Sequence, residues 1–153
     1  MIRFAKAADL EQVQHLRKEV NDLHVQGRPD FFKAGFGREL QDYIYAYMVS
    51  EKNQIVVDEE DGTICGMVMV DWIERSETPY APARKMCHIA EICVDASCRG
   101  TGIGHALLEF VRQEARKRGF PRIELDVWDF NDALGFYEKE GFKVYRRFLE
   151  QEV

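Results

Sequence analysis

With 153 residues, the chain has the length of one domain, because two domains of half this size would each have a marginal core. Hydrophobic residues make up 46% and charged residues 31%, which is typical of a folded globular protein and excludes a disordered or fibrous one. Acidic residues outnumber basic ones by 27 to 21, and the net charge of −6 predicts no broad basic surface for nucleic acid.

The N-terminal segment and the cysteines predict a cytoplasmic protein. The sequence begins MIRFAKAADLEQ, which lacks the apolar segment of a signal peptide, and no run of about 18 apolar residues predicts a membrane span. Four cysteines form no C-x-x-C pair and are expected to be reduced thiols: Cys65, Cys87, Cys93 and Cys98. The four histidines show no metal-site spacing, so no metal is expected.

The N-terminal part is predicted to form a strand and two helices. A strand at 2–4 is followed by a helix that Asp9 caps, with Gln12 three residues later as the second member of a capping box. Apolar residues at helical spacing define the buried face of this helix: Leu10, Val13, Leu16, Val20 and Leu23. A loop then leads to a second helix, predicted at 39–49.

Further along the chain, strands come first and then alternate with helices. Strands are predicted at 54–57, 63–73 and 86–94, a helix at 102–118, a strand at 123–128, a helix at 132–140 and a last strand at 142–149. This order predicts a mixed sheet covered by helices, a fold of the α/β class in the broad, mixed α+β sense.

A glycine-rich turn carries the densest chemical signal. Residues 94–104 read VDASCRGTGIG, where a predicted strand ends and an amphipathic helix begins. Glycine at 100, 102 and 104 lets the backbone approach a ligand, and the first amides of a helix attract phosphate. The run matches neither the Walker loop, which ends in Lys-Ser or Lys-Thr, nor the dinucleotide pattern G-x-G-x-x-G. The alternatives are a phosphate-binding turn and a turn whose glycines serve only packing.

Three segments together resemble the GNAT superfamily of acyl-CoA-dependent N-acyltransferases. RGTGIG at 99–104 is similar to its R/Q-x-x-G-x-G/A motif, IAEICV at 89–94 to its central strand, and NDALGFYEKEGF at 131–142 to its second motif. The resemblance implies a single domain over residues 1–153, with a central mixed, mostly antiparallel sheet flanked by helices. It also implies transfer of an acetyl group from acetyl-CoA to a primary amine of a small molecule, peptide or protein, by direct attack in a ternary complex.

The resemblance assigns residues to coenzyme A (CoA). Backbone amides of the turn would hold its pyrophosphate: Arg99, Gly100, Thr101, Gly102, Ile103 and Gly104. The pantetheine arm would pair like an added strand with Ile92, Cys93 and Val94, which requires main-chain groups rather than particular side chains. Asn131 would hydrogen-bond the pantetheine. Lys139 would reach the nucleotide end, with a solvated surface lysine as the alternative.

The resemblance also implies catalytic residues. Tyr137 matches the family's general acid, since a phenol with a pKa of about 10 can protonate a thiolate leaving group with a pKa of about 8.5. The base has three alternatives: Glu91 on the central strand, Asp126 on the next strand, or water alone. An amide of Cys93 or Val94 would stabilise the oxyanion, and no cysteine nucleophile is needed.

The acceptor site is expected beside the loop between the first two helices, with a packed aromatic loop as the alternative. This loop region contains His24, Arg28, Asp30, Phe31, Phe32 and Phe36. Glu74, Glu77 and Tyr80 in a later loop would attract a cationic amine.

The expected partners are acetyl-CoA and the amine, with no nucleic acid and no membrane, and family members also suggest a homodimer. Transfer of a longer acyl group, a catalytically silent acyl-CoA sensor and a protein-interaction scaffold are the rival functions.

Overall fold

In the computed structural model, which describes residues 1–153, five strands form one sheet in the order β1-β2-β3-β4-β5. The strands are β1 (Ile2–Phe4), β2 (Asn53–Glu60), β3 (Thr63–Arg75), β4 (Arg84–Val94) and β5 (Ile123–Leu125). Strands β1 to β4 pair antiparallel, whereas β5 runs parallel to β4. The predicted mixed, mostly antiparallel sheet flanked by helices is therefore confirmed.

Helices cover both faces of the sheet. They are α1 (Leu10–Gly27), α2 (Arg38–Met48), α3 (Ile103–Lys117) and α4 (Leu134–Lys139). Successive side chains of β3 point to opposite faces, so Met67 and Met69 pack towards α1 and α2, and Val68 and Val70 towards α3. None of these helices is both long enough and apolar enough to span a membrane.

The predicted capping box at the start of α1 is wrong. Asp9 is buried and accepts hydrogen bonds of 2.6 and 2.9 Å from the two terminal nitrogens of Arg3. Gln12 instead accepts a 2.8 Å hydrogen bond from the Ile64 amide in β3. The Asp9 carboxylate also accepts a 2.7 Å hydrogen bond from the Lys6 amide, so Arg3 and Lys6 occupy its oxygens and it does not cap α1.

The C-terminal segment also differs from the prediction. Residues 142–153 form no strand, and the backbone amides beyond Phe142 make no backbone hydrogen bond. The apolar alternation that predicted a strand leaves Val144, Tyr145, Phe148 and Leu149 exposed instead. We refer to residues 143–153 as the C-terminal tail.

A bulge in β4 sets the direction of its side chains. Met69 of β3 pairs with Glu91 and the next residue of β3, Val70, pairs with Ile89, so Ala90 is an extra residue in β4. The bulge lets both Ile89 and Ile92 pack beneath α3 while Glu91 turns towards α1.

Candidate active site

The parallel strands β4 and β5 pair along only part of β4, and the rest of β4 has an open edge. Their pairing ends with Ile89 opposite Leu125, although β4 continues to Val94. From Ala90 to Val94, one edge of β4 is bonded to β3 and the other has no strand partner. Backbone groups on such an edge can pair with an extended ligand.

The glycine turn begins where this open edge ends. Gly100 and Gly102 have φ values of 81° and 88°, and a Cβ atom on either would meet nothing within 4 Å. Glycine is therefore required at these two positions for the backbone conformation of an open turn and not for packing. At Gly104, in contrast, a Cβ atom would lie 3.0 Å from the ring of Phe136, so this glycine does serve packing.

Three amides at the N-terminus of α3 have no hydrogen-bond partner. The first amide of the helix to bond is that of Ala106, which donates to the Gly102 carbonyl at 3.0 Å. The amides of Ile103, Gly104 and His105 precede it and make no such bond. Unpaired amides at the positive end of a helix form a site suited to an anion.

Arg99 folds back onto the end of β4. Its Nε donates a 3.0 Å hydrogen bond to the Val94 carbonyl, and its Nη2 lies 3.6 Å from the carboxylate of Glu19. Beside it, the Asp95 carboxylate accepts a 2.8 Å hydrogen bond from the Ser97 amide, which shapes the short 3-10 helix at Ala96–Cys98. The Arg99 charge thus lies between the open edge and the turn.

A group of possible metal ligands lies next to this turn. His15, Glu19 and Asp95 each offer a ligand atom, and these atoms lie within 4.8 Å of one another. Two of the three are already engaged, Asp95 by Ser97 and Glu19 by Arg99.

Glu91 is a buried carboxylate beside the open edge. Its side chain is 8% exposed, and its Oε2 lies 2.7 Å from Nη1 of Arg17 in α1. Burial raises the pKa of Glu91 to about 7, although the charge of Arg17 opposes the increase. Two fully buried atoms of this pair have no hydrogen-bond partner, Glu91 Oε1 and Arg17 Nε.

Arg17 was not among the predicted site residues. A signal was present, because Arg17 follows Val13 by four residues and precedes Val20 by three, which places a charge on the buried stripe of α1. The contact with Glu91 joins residues far apart in the chain and could not be found from spacing alone.

Tyr137 in α4 lies near Glu91. Its side chain is buried between Phe136 and Phe142, at ring-centroid distances of 5.3 and 5.8 Å. Burial, together with the charge of Glu91, raises the pKa of Tyr137 to about 12. Its hydroxyl accepts and donates no hydrogen bond within the protein, yet it is not among the fully buried unpaired atoms. The phenol therefore stays protonated near neutral pH and remains accessible.

The other predicted site residues are placed differently. Asp126 is exposed just beyond β5, where its charge acts on Tyr145 of the C-terminal tail. Asn131 accepts a 2.9 Å hydrogen bond from the Ala133 amide and so shapes the turn that precedes α4. Lys139 is exposed in the last turn of α4.

The loop between α1 and α2 packs against residues that follow β5. Phe31 and Phe32 lie 5.1 and 5.6 Å from the ring of Trp128, and His24 stacks on Phe32 at 4.8 Å. Burial and the nearby charge of Arg17 lower the pKa of His24. The aromatic residues of the loop are thus packed, as one alternative predicted. The other alternative, an acceptor site beside this loop, stays a prediction.

The remaining predicted contributors to the acceptor site lie elsewhere. Phe36 packs with the cluster beneath α1 and α2. Glu74 pairs with Lys85, six residues before Glu91 in β4, at the opposite end of the β3–β4 hairpin. Glu77 and Tyr80 lie in the connection beyond that end, so the structure does not bring this loop next to Glu91.

Cys93 does not provide a thiolate beside the open edge. Its side chain is buried, and burial raises the pKa of its thiol to about 12. All four cysteines are free thiols. The sulfur of Cys93 is therefore protonated near neutral pH and is a poor nucleophile.

The chain is similar to known proteins over most of its length. The model of the acetyltransferase (GNAT) family matches residues 18–142. An uncharacterised N-acetyltransferase of Methanocaldococcus jannaschii is 34% identical over 118 residues, which cover 71% of this chain but only 50% of that protein. The chain thus spans about half the length of that relative. The peptidyl-lysine N-acetyltransferase YjaB of Escherichia coli is 27% identical over 124 residues, 80% of this chain and 71% of that protein. The solved structure of a mutant BH1408 protein from Bacillus halodurans has a TM-score of 0.94 at 29% identity, covering 100% of this chain and 99% of that chain.

Proposed function

Because the chain belongs to the acetyltransferase (GNAT) family, we propose that residues 1–153 act as one domain that transfers an acetyl group from acetyl-CoA to a primary amine. One observation carries this proposal: the open edge of β4 leads directly to the unpaired amides at the start of α3. An extended molecule with an anionic end can bind such a surface through backbone groups alone.

The residues present fit acetyl-CoA, which supplies an acetyl group activated as a thioester. The turn from Arg99 to Gly104 would bind the pyrophosphate, supported by its open geometry and by the charge of Arg99. Ile92, Cys93 and Val94 would pair with the pantetheine arm, with the Val94 carbonyl first released by Arg99. Asn131 would use the side-chain nitrogen that its turn leaves free, and Lys139 would face the nucleotide end.

Glu91 and Tyr137 have the proton affinities that this reaction needs. With a pKa of about 7, Glu91 can take a proton from the amine close to neutral pH, where a general base is most effective. Tyr137 keeps its proton at that pH and can donate it to the departing thiolate of CoA. Because Cys93 stays protonated, its state supports direct attack by the amine rather than an acetylated cysteine.

Asp126 is a weaker candidate for the base. It is exposed and acts on Tyr145, whereas the charge of Glu91 acts on Tyr137, the proposed acid. The proposal therefore assigns the base to Glu91.

We also propose that the enzyme needs no metal ion, is cytoplasmic, does not bind nucleic acid and forms a homodimer. The reaction uses amide, phenol and carboxylate groups and needs no metal ion. Free thiols agree with a cytoplasmic location, and the net charge of −6 disfavours nucleic acid as a partner. The apolar tail, with β5 as the last strand of the sheet, supports a homodimer in which the tails cover each other's sheet edge. Sedimentation of the full chain measures this state.

Calorimetry with CoA and a thiol-release assay across primary amines test the function. Wild-type protein should bind CoA and release thiol from acetyl-CoA with at least one amine. Gly102→Val should weaken CoA binding by about tenfold or more, because it strains the turn whose amides would contact phosphate. Gly62→Val is the matched control, since Gly62 has a φ of 80° and equally open surroundings but lies in the β2–β3 turn.

The outcomes separate the rival functions. CoA binding without turnover of any amine would indicate the acyl-CoA sensor. No CoA binding, or equal weakening by both valine variants, would contradict the assignment of the glycine turn.

A further inference from the structure

Arg17 of α1 and Glu91 of β4 form a buried ion pair between a helix and the sheet. Nη1 of Arg17 lies 2.7 Å from Oε2 of Glu91, and the two side chains are 14% and 8% exposed. Removing two opposite charges from water costs about as much as their attraction returns, and apolar residues often replace such a pair without loss of stability. Stability alone therefore does not account for an arginine on the buried face of α1.

Arg17 is the one charged group that shifts the pKa of Glu91. Tyr137 of α4 and Cys93 of β4 respond to the charge of Glu91, but burial raises the pKa of each to about 12, so both are neutral when Glu91 titrates. Burial and the charge of Arg17 lower the pKa of His24, which is therefore neutral near pH 7 as well. The β3 residue that pairs with Glu91 is an apolar methionine.

A single contact joins the two charged groups. A guanidinium and a carboxylate can form two parallel hydrogen bonds, which occupy both oxygens and strongly favour the charged form. Here Arg17 Nε and Glu91 Oε1 are fully buried and have no hydrogen-bond partner. A proton on Oε1 therefore displaces no existing hydrogen bond. Burial without Arg17 would keep Glu91 protonated at neutral pH, whereas a two-point contact would make it a weak base.

We propose that Arg17 is a positioning residue that keeps Glu91 ionised near neutral pH, so that this carboxylate can take a proton from the amine. This inference rests on the proposed acetyl transfer with Glu91 as its base. The bond from nitrogen to the acetyl carbon forms, the bond from that carbon to sulfur breaks, and the thiolate takes its proton from Tyr137. In this role Arg17 acts through Glu91 alone and keeps its charge throughout the reaction.

The pH dependence of thiol release tests the role of Arg17. A positive charge in contact with a carboxyl lowers its pKa by about 1–3 units, so Arg17→Met should raise the pKa of Glu91 from about 7 to about 8 or more. A rise of one unit lowers the ionised fraction at pH 7 from about one half to about one tenth. The variant should therefore lose about fivefold or more in kcat/KM at pH 7, and the loss should shrink as the pH rises. Ionisation of the free amine is common to both proteins and cancels in their ratio.

Three further variants separate the charge of Arg17 from its place in the packing. A purely structural defect would lower kcat/KM by the same factor at every pH. Arg17→Lys retains the positive charge and should restore most of the activity at pH 7, and Arg17→Gln serves if the methionine variant does not fold. Arg38→Met is the matched control, because Arg38 is 92% exposed on α2 and should leave the pH profile unchanged.

Stability measures the same effect without catalysis. Because the folded protein binds the Glu91 proton more tightly than the unfolded chain does, the free energy of unfolding falls as the pH rises from about 4.5 to the pKa of Glu91 in the folded state. In denaturant unfolding, this fall should end near pH 7 in wild type and about one pH unit or more higher in Arg17→Met. The double variant Arg17→Met/Glu91→Gln has no ionisable group at position 91 and should lack it.

The two measurements together decide between the outcomes. A loss of kcat/KM that is the same at every pH, or a fall in stability that still ends near pH 7 in Arg17→Met, would refute the role of Arg17 while acetyl transfer stands. A shifted stability profile with an unshifted activity profile would refute it too, because Glu91 would then not be the base. If wild type binds CoA but transfers to no amine, the proposed function fails and this inference fails with it.

Discussion

Substitution of Glu91 by glutamine should stabilise the protein above neutral pH and remove most of its activity. Glutamine has nearly the shape of a protonated glutamic acid and cannot ionise. In the wild type, burial raises the pKa of Glu91 from an ordinary value of 4.5 to about 7, so the folded protein resists ionisation of this group. The wild type therefore loses stability as the pH rises from about 4.5 to about 7, and the variant does not.

The magnitude follows from the two pKa values. Each tenfold difference in proton affinity corresponds to about 1.4 kcal/mol, so ionised Glu91 lowers the free energy of unfolding by about 3 kcal/mol above pH 7. Glu91→Gln should be more stable than wild type by up to this amount at pH 8, and by less than about 1 kcal/mol at pH 5. The same variant should lose about 10²- to 10⁴-fold in kcat/KM, the usual contribution of a general base.

Guanidinium unfolding at pH 5 and pH 8 measures the stability, and thiol release measures the activity. Asp126→Asn is the control, because it removes the rival carboxylate at an exposed position and should change neither quantity appreciably. A stability difference between Glu91→Gln and wild type that is the same at both pH values would refute the argument that Glu91 is a desolvated acid. Full activity of Glu91→Gln together with loss of activity in Asp126→Asn would indicate that Asp126, and not Glu91, is the general base.

Two further substitutions probe the acid and the core. Tyr137→Phe should lower kcat by about 10- to 100-fold with little change in CoA affinity, because only the proton donor is lost; an unchanged thiol-release rate would exclude the phenol as the acid. Leu107→Ala should lower the free energy of unfolding by about 2–5 kcal/mol, since this fully buried side chain fills the space between α3 and the sheet. A loss below about 1 kcal/mol in denaturant unfolding would show that α3 closes over the cavity.

Local patterns in the sequence predicted the parts of the site that local forces determine. The helical spacing of apolar residues located α3, predicted at 102–118, within one residue of its observed limits at each end. Gly100 and Gly102 adopt the positive φ values that few other residues tolerate, so the turn could be located from the glycines alone.

Contacts between distant residues could not be predicted in this way. Asp9 was assigned to a local cap, but Arg3 contacts both of its oxygens instead. The tail has the alternation of a strand, yet a strand also needs backbone hydrogen bonds to a neighbouring strand, and the backbone of the tail makes none. Arg17 contacts Glu91 because α1 packs on the sheet, and no spacing within α1 reveals that contact.

The bulge at Ala90 connects the architecture of the sheet with the chemistry of the site. A strictly alternating strand would place Ile89 and Glu91 on one face, and either the isoleucine would leave the core beneath α3 or the carboxylate would enter it. One extra residue lets Ile89 stay in that core while Glu91 reaches Arg17 on the other face. The pairing of β4 with β5 ends at Ile89, immediately before the bulge. The bulge that directs Glu91 towards α1 therefore lies where the open edge of β4 begins. The proposed base, Glu91, and the proposed binding edge for acetyl-CoA therefore both depend on the same bulge in the backbone of β4.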